Sequence, residues 1–197
     1  MRGLTLAFAL IATAAGAVPT GGPAPNFTLT DASGKPVSLS DYKGKTVVLE
    51  WNNPGCPFVQ KHYRSGNMQK SQAIARDAGV VWLSINSGAP GQQGYMAGPA
   101  AATFVRAQKA NPSAYLLDPQ GTVGHRYDAK TTPHMYVING AGKLVYQGAI
   151  DDKPTADPGD IAGARNLVLA ALADVKAGRP VAKPESRAYG CSVKYAA

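Results

Sequence analysis

Cysteine is scarce in this chain: only Cys56 and Cys191 occur among 197 residues, so at most one intramolecular disulfide is available. Long apolar runs are missing beyond the first residues. That excludes a membrane-spanning helix from the rest of the chain, because a span needs roughly 20 consecutive apolar residues. Charge of one sign is never concentrated. The net charge is +8, yet Lys43, Lys45, Lys61, Arg64, Lys70, Arg76, Arg106 and Lys109 are scattered, as on a solvated surface. This dispersal argues against nucleic-acid binding. No internal repeat is present.

The chain opens with MRGLTLAFALIATAAGA: one arginine, an apolar run from Leu4 to Ala14, then Ala15-Gly16-Ala17. This is the pattern of a secretory signal peptide cleaved after Ala17, and the run is too short for a membrane anchor. The remaining chain, about 180 residues, has the length of one domain with a full core. It reads as a domain over 18–178 followed by a tail, 179–197, that carries Cys191. Export would deliver both cysteines to the periplasm or the exterior, where disulfides are allowed. Closing so long a loop stabilises a fold by roughly 5 kcal/mol in the chain-entropy treatment, so a purely structural bridge is one reading of the pair.

Along the chain, Val18 to Pro25 is a Pro/Gly-rich lead-in, expected to be flexible. Asn26 to Thr30 and Pro36 to Leu39 form a hairpin, and Thr46 to Trp51 is an apolar strand of the kind buried on both faces. A helix is expected from Pro57 to Ala78, with Phe58, Val59, Met68, Ala73 and Ile74 inward and an interruption at Gly66-Asn67. Val80 to Ile85 is the next strand, parallel to the one before the helix. Asn86 to Pro99 reads as a long loop, Ala100 to Ala110 as a helix, and Tyr115 to Leu117 as a strand. A short helix follows near Thr122 to Tyr127. Met135 to Ile138 and Leu144 to Gln147 flank a hairpin turn. Asp160 to Ala177 is an amphipathic helix with Ile161, Leu167, Val168, Ala171, Leu172 and Val175 inward. The order implies an α/β fold: a central mixed sheet with helices on both faces and an N-terminal hairpin.

Cys56 lies in WNNPGCPFVQKHY, where a strand hands over to a helix. The unpaired N–H groups and partial positive charge of a helix N-terminus favour a thiolate. Asn52, Asn53, Pro54 and Gly55 read as an exposed turn, which favours a reactive thiol over an inert buried one. The segment WNNPGCPFV resembles the active-site turn of the thioredoxin-like redoxins. That group contains thioredoxins, cytochrome-maturation thiol reductases and the alkyl hydroperoxide reductase/thiol-specific antioxidant proteins. Thr132-Pro133 in KTTPHMYVI matches the family's threonine and cis-proline, and Glu50, six residues before Cys56, stands where thioredoxins place a buried proton-exchanging acid. The resemblance implies a thioredoxin-like fold and Cys56 as catalytic thiol. It also implies a substrate-binding surface of Pro54, Gly55, Pro57, Thr132 and Pro133. No bound cofactor is implied, because electrons arrive by thiol exchange with a redox partner protein and pass to a disulfide or a peroxide.

Two departures matter. Val59 replaces the second cysteine of Cys-x-x-Cys, so local disulfide exchange is excluded. Leu49 and Asn53 stand where the peroxiredoxin pattern has proline and threonine. Cys191, in the tail segment AYGCSVKY, is then the candidate resolving thiol, carried by a flexible segment able to reach Cys56. The alternative is a non-catalytic binding module or copper chaperone, with Cys56 and Cys191 permanently bridged, or with His62 and His134 joining the thiol as soft metal ligands. Glu50 in an apolar strand would be costly as an unpaired charge, which suggests a proton relay or a lysine partner. His125, Arg126 and Lys130 read as surface residues, Trp51 and Trp82 as core, and Asp151-Asp152 as solvated acids.

Overall fold

The computed structural model describes residues 18–196; the expected leader lies outside the described residues. Strand β1 (Thr28–Asp31) and β2 (Pro36–Ser38) form the leading hairpin, and a 3-10 turn over Leu39–Tyr42 follows. Then come β3 (Val47–Trp51), α1 (Pro57–Arg64), α2 (Asn67–Asp77), β4 (Val81–Asn86), α3 (Gly98–Ala107) and β5 (Ala114–Leu117). The chain continues through α4 (Thr122–Arg126), β6 (Thr131–Thr132), β7 (His134–Ile138), β8 (Leu144–Gly148), α5 (Leu167–Lys176) and β9 (Cys191–Ser192).

Seven strands make one sheet in the order β2-β1-β5-β4-β3-β7-β8. β3 pairs parallel to β4, and β4 to β5, while β7 runs antiparallel to β3. The near-continuous apolar runs have the expected consequence: every residue of β3, β4 and β7 is buried. Alternation along β3 then divides the core. Val48 faces α1, α2 and α5 with Met68, Trp82, Val137 and Val168. Leu49 and Trp51 face the other way, with Leu83, Ile85, Tyr127 and Tyr136. Trp51 packs at 5.1 Å and 5.6 Å, ring centre to ring centre, on Tyr136 and Tyr127. Trp51 and Trp82 are both fully buried, as the sequence suggested.

Several expectations need correction. The expected interruption at Gly66-Asn67 is a full break into two helices, because Gly66 adopts φ +75° and restarts the helix at Asn67, and it changes which residues face inward. The new phase turns Ser71, Gln72 and Ala75 inward and leaves Ile74 44% exposed. The closing helix is shorter than expected: Pro158–Gly163 is a 3-10 turn, and Asn166 caps α5 by accepting from the Leu169 N–H at 2.9 Å. The lead-in is docked, with Gly21 N–H donating to the Leu144 carbonyl at 2.7 Å. The tail is docked too. Ser186 N–H donates to the Gln147 carbonyl at 3.0 Å on the edge strand, and β9 pairs antiparallel with β6.

Candidate active site

Cys56 is the N-cap residue of α1, with extended backbone (φ −80°, ψ 123°), and Pro57 occupies the first helical position, where its missing N–H costs nothing. The Cys56 carbonyl accepts the first helical bond, from Gln60 N–H at 2.9 Å, and Cys56 N–H donates back to the Asn53 carbonyl at 3.0 Å. Asn53 holds the turn together: its Oδ1 accepts from Gly55 N–H at 2.9 Å, and its Nδ2 donates to Gln93 Oε1 at 3.0 Å. Gln93 belongs to the long loop, which therefore braces the cysteine turn. The turn is not exposed as expected. Asn52, Asn53 and Cys56 are buried, and only Gly55 is open.

What covers Cys56 is the tail. Thr132 pairs with Cys191, and Thr131 with Ser192, on the residues preceding the cis Thr132-Pro133 bond. The Cys191 Sγ thereby lies 2.8 Å from the Cys56 Sγ, and the Thr132 carbonyl accepts from the Cys56 thiol at 3.1 Å. Both cysteines are free; Cys56 is fully buried and Cys191 half-buried. Past Cys191, Val193 N–H donates to the Lys130 carbonyl at 3.0 Å, the Lys194 carbonyl accepts from Ala89 N–H at 2.8 Å, and Tyr195 stacks on His125. This strap is ordered, unlike the flexible segment expected.

Burial pushes the Cys56 thiol up. Hydrogen bonding by Cys191 first, then by the Thr132 side chain and the backbone N–H groups of Cys191 and Val59, more than offsets it, so the thiol lies below its ordinary value. Cys191 moves up, through burial and then the hydrogen bond and charge of Cys56. The two shifts run in opposite directions, so Cys56 is the more acidic thiol of the pair.

Glu50 is neither unpaired nor matched to a lysine. Its Oε1 accepts from Asn52 Nδ2 at 2.9 Å and Tyr63 OH at 2.8 Å. Its Oε2 accepts from Trp82 Nε1 and Ser84 Oγ, each at 2.8 Å, and from Gln72 Nε2 at 3.4 Å. It shares the α1 face of the sheet with Cys56, and no direct hydrogen bond joins it to either sulfur.

The histidines are turned elsewhere. His62 Nδ1 accepts from Asn67 Nδ2 at 2.8 Å, and its Nε2 lies 3.3 Å from Tyr189 OH. His134 Nδ1 lies 3.1 Å from Tyr136 OH. Among the described residues, no group of three His, Cys, Asp or Glu is arranged to hold a metal ion. Asp151 and Lys61 overturn the surface readings: both are buried, with Lys61 Nζ 3.5 Å from Asp151 Oδ2. Sequence reasoning missed this pair. The one available signal was the placement of Lys61 and His62 in the same short helix as the thiol.

The fold is that of solved thioredoxin-domain structures. An uncharacterized conserved protein from Geobacillus kaustophilus superposes with a TM-score of 0.80 at 29% identity, covering 90% of this chain and 93% of that one. Thiol-disulfide oxidoreductase ResA of Bacillus subtilis is 27% identical over 132 residues, 64% of each chain. Chloroplastic peroxiredoxin Q of Triticum aestivum is 41% identical over 69 residues, 33% of this chain and 32% of that protein. The chain thus spans less than two thirds of either curated relative. The AhpC/TSA family model matches residues 20–147, well over half of the chain and inclusive of Cys56 and Thr132-Pro133, so the chain belongs to the AhpC/TSA family.

Proposed function

We propose that this protein is an exported thiol-disulfide oxidoreductase whose redox couple is Cys56 and Cys191. The observation that carries the reading is the 2.8 Å separation of two sulfurs that are 135 residues apart in sequence. The Cys56 thiolate attacks one sulfur of a substrate disulfide, forming a mixed disulfide and expelling the other sulfur as a thiolate. That leaving thiolate takes the proton of Cys191. Cys191 then attacks the Cys56 sulfur, forms the intramolecular disulfide and releases the second substrate thiolate. Two electrons have passed to the substrate, and a thiol partner returns them. Pro54, Gly55 and Pro57 flank the couple on its open side, Thr132 and Pro133, buried beneath the strap, complete the substrate-binding surface when the strap lifts, and Glu50 is the buried acid that exchanges protons with the couple.

Disulfide exchange is favoured over peroxide reduction because Leu49 and Asn53 replace the proline and threonine of the peroxide-activating pattern. The apolar run before Val18 supports export. Among the described residues no helix is long and apolar enough to cross a membrane.

The test is equilibration in glutathione redox buffers, followed by peptide mass spectrometry. A Cys56–Cys191 link that forms and breaks with the poise supports the couple. No link at any poise removes it, and a link that resists reduction makes the bridge structural. Oxidation of the dithiol by hydrogen peroxide faster than by oxidised glutathione would shift the reading to a peroxidase.

A further inference from the structure

Helix α1, which begins at Cys56, also carries the groups that hold the strap bearing Cys191. Tyr189, two residues before Cys191, donates its hydroxyl to Asp151 Oδ1. Asp151 is buried and held in place by Lys153 N–H, which donates to the same oxygen at 3.0 Å. Its Oδ2 faces Lys61 Nζ at 3.5 Å and His62 Nε2 at 3.9 Å, both groups fully buried on α1. Lys61 in turn donates to the Lys153 carbonyl at 2.6 Å. Asn67 donates to His62 Nδ1, which leaves the proton on Nε2, directed at the Tyr189 oxygen. The Tyr189 ring meets Phe58 edge-on at 5.8 Å, and the Lys61 ammonium lies 5.5 Å from its centre.

Burying Lys61 and Asp151 forfeits the hydration of both ions, a cost that their attraction and hydrogen bonds must offset. The arrangement meets the tail at Tyr189, through the hydroxyl and through the ring. We propose that Tyr189 and Asp151 are positioning residues that latch the strap onto α1, placing Cys191 on Cys56 and setting how often Cys56 is uncovered. A hydrogen bond to a buried carboxylate is among the stronger neutral-donor contacts, and Cys56 is fully buried while the strap is down. The latch therefore holds the resolving thiol in place and must open before a bulky disulfide can reach Cys56.

This inference rests on the Cys56–Cys191 couple, but its test does not require the disulfide to form. D151N strips buried Lys61 of its counter-charge and so tests folding as much as docking. Y189F keeps the ring and removes only the donor. In the reduced full-length protein, iodoacetamide should alkylate Cys56 about tenfold faster in Y189F than in the wild type. Hydrogen exchange should show Val193 N–H losing protection to match, while the Val48 and Leu83 amides of the central sheet keep theirs. A Cys56 rate within twofold of the wild type overturns the latch, as does equal loss of protection in strap and sheet. Failure of the wild type to form a Cys56–Cys191 link would instead remove the couple.

Discussion

Gly190 and Thr132 approach so closely that a Cβ on Gly190 would lie 2.0 Å from the Thr132 carbonyl oxygen. The obstructing atom is backbone, on the residue that pairs with Cys191, and Gly190 itself adopts φ +138°. Gly190→Ala therefore meets a steric and a conformational penalty together. A positive-φ side chain alone costs about 1–3 kcal/mol. The expected outcome is a strap that no longer seats Cys191, with Cys56–Cys191 closure slowed at least tenfold after oxidation and the α/β core intact by circular dichroism.

The two thiols should titrate on opposite sides of the free-cysteine value of about 8.5. Cys56 is held low, so its alkylation rate should stay high below that pH and fall only through a lower inflection. Cys191 is held high and should react only at more alkaline pH. Cys191→Ala removes the first of the hydrogen bonds that lower Cys56, and a pH profile of iodoacetamide labelling should show the Cys56 inflection moving up.

His62 and His134 are each pushed down to about 4, first by burial, with Asp151 and Asp128 respectively pulling them back up. Their folded values lie below the unfolded value of about 6.5. The unfolded chain therefore takes up protons first as pH falls. Stability is full above pH 6.5, declines between about 6.5 and 4, and levels once the folded histidines also protonate, each contributing up to about 1.4 kcal/mol per pH unit in that window. Urea midpoints at pH 7 and pH 5 measure this, and His134→Gln should flatten the slope.

Glu50→Gln places an amide N–H₂ against donors that now address a carboxylate. In either orientation the amide nitrogen faces donors, Asn52 and Tyr63 on one side or Trp82, Ser84 and Gln72 on the other. Each buried unsatisfied group costs about 1–3 kcal/mol, so the urea midpoint should fall clearly. The proton-exchange role assigned to Glu50 adds a kinetic expectation: closure of Cys56 by Cys191 should lose part of its pH dependence in this variant. An unchanged pH profile removes Glu50 from the chemistry and leaves it a structural acid.

Much of this protein follows from local sequence. Val47 to Trp51 and Val81 to Asn86 are apolar enough to be read as buried strands, and two strands flanking one helical segment fix a parallel pair. Cys56 at a helix start and Thr132-Pro133 before a strand are local patterns, and the structure brings them together as the resemblance implied. What went unread depends on neighbours distant in sequence. Lys61 looks like any scattered lysine until Asp151 is folded against it. Ile74 looks like a core residue until the positive φ of Gly66 shifts the helix phase.

Cys56 shows the same division. Its sequence context determines that it caps a helix and so favours a thiolate, because capping geometry and the first-turn N–H groups are local. Whether that thiol is open or covered, and by what, was decided only in three dimensions. The strap crosses Thr132 at Gly190, where no side chain fits, and Tyr189 finds a buried carboxylate. Contacts over more than a hundred residues depend on where the sheet delivers each segment, and no short pattern encodes that.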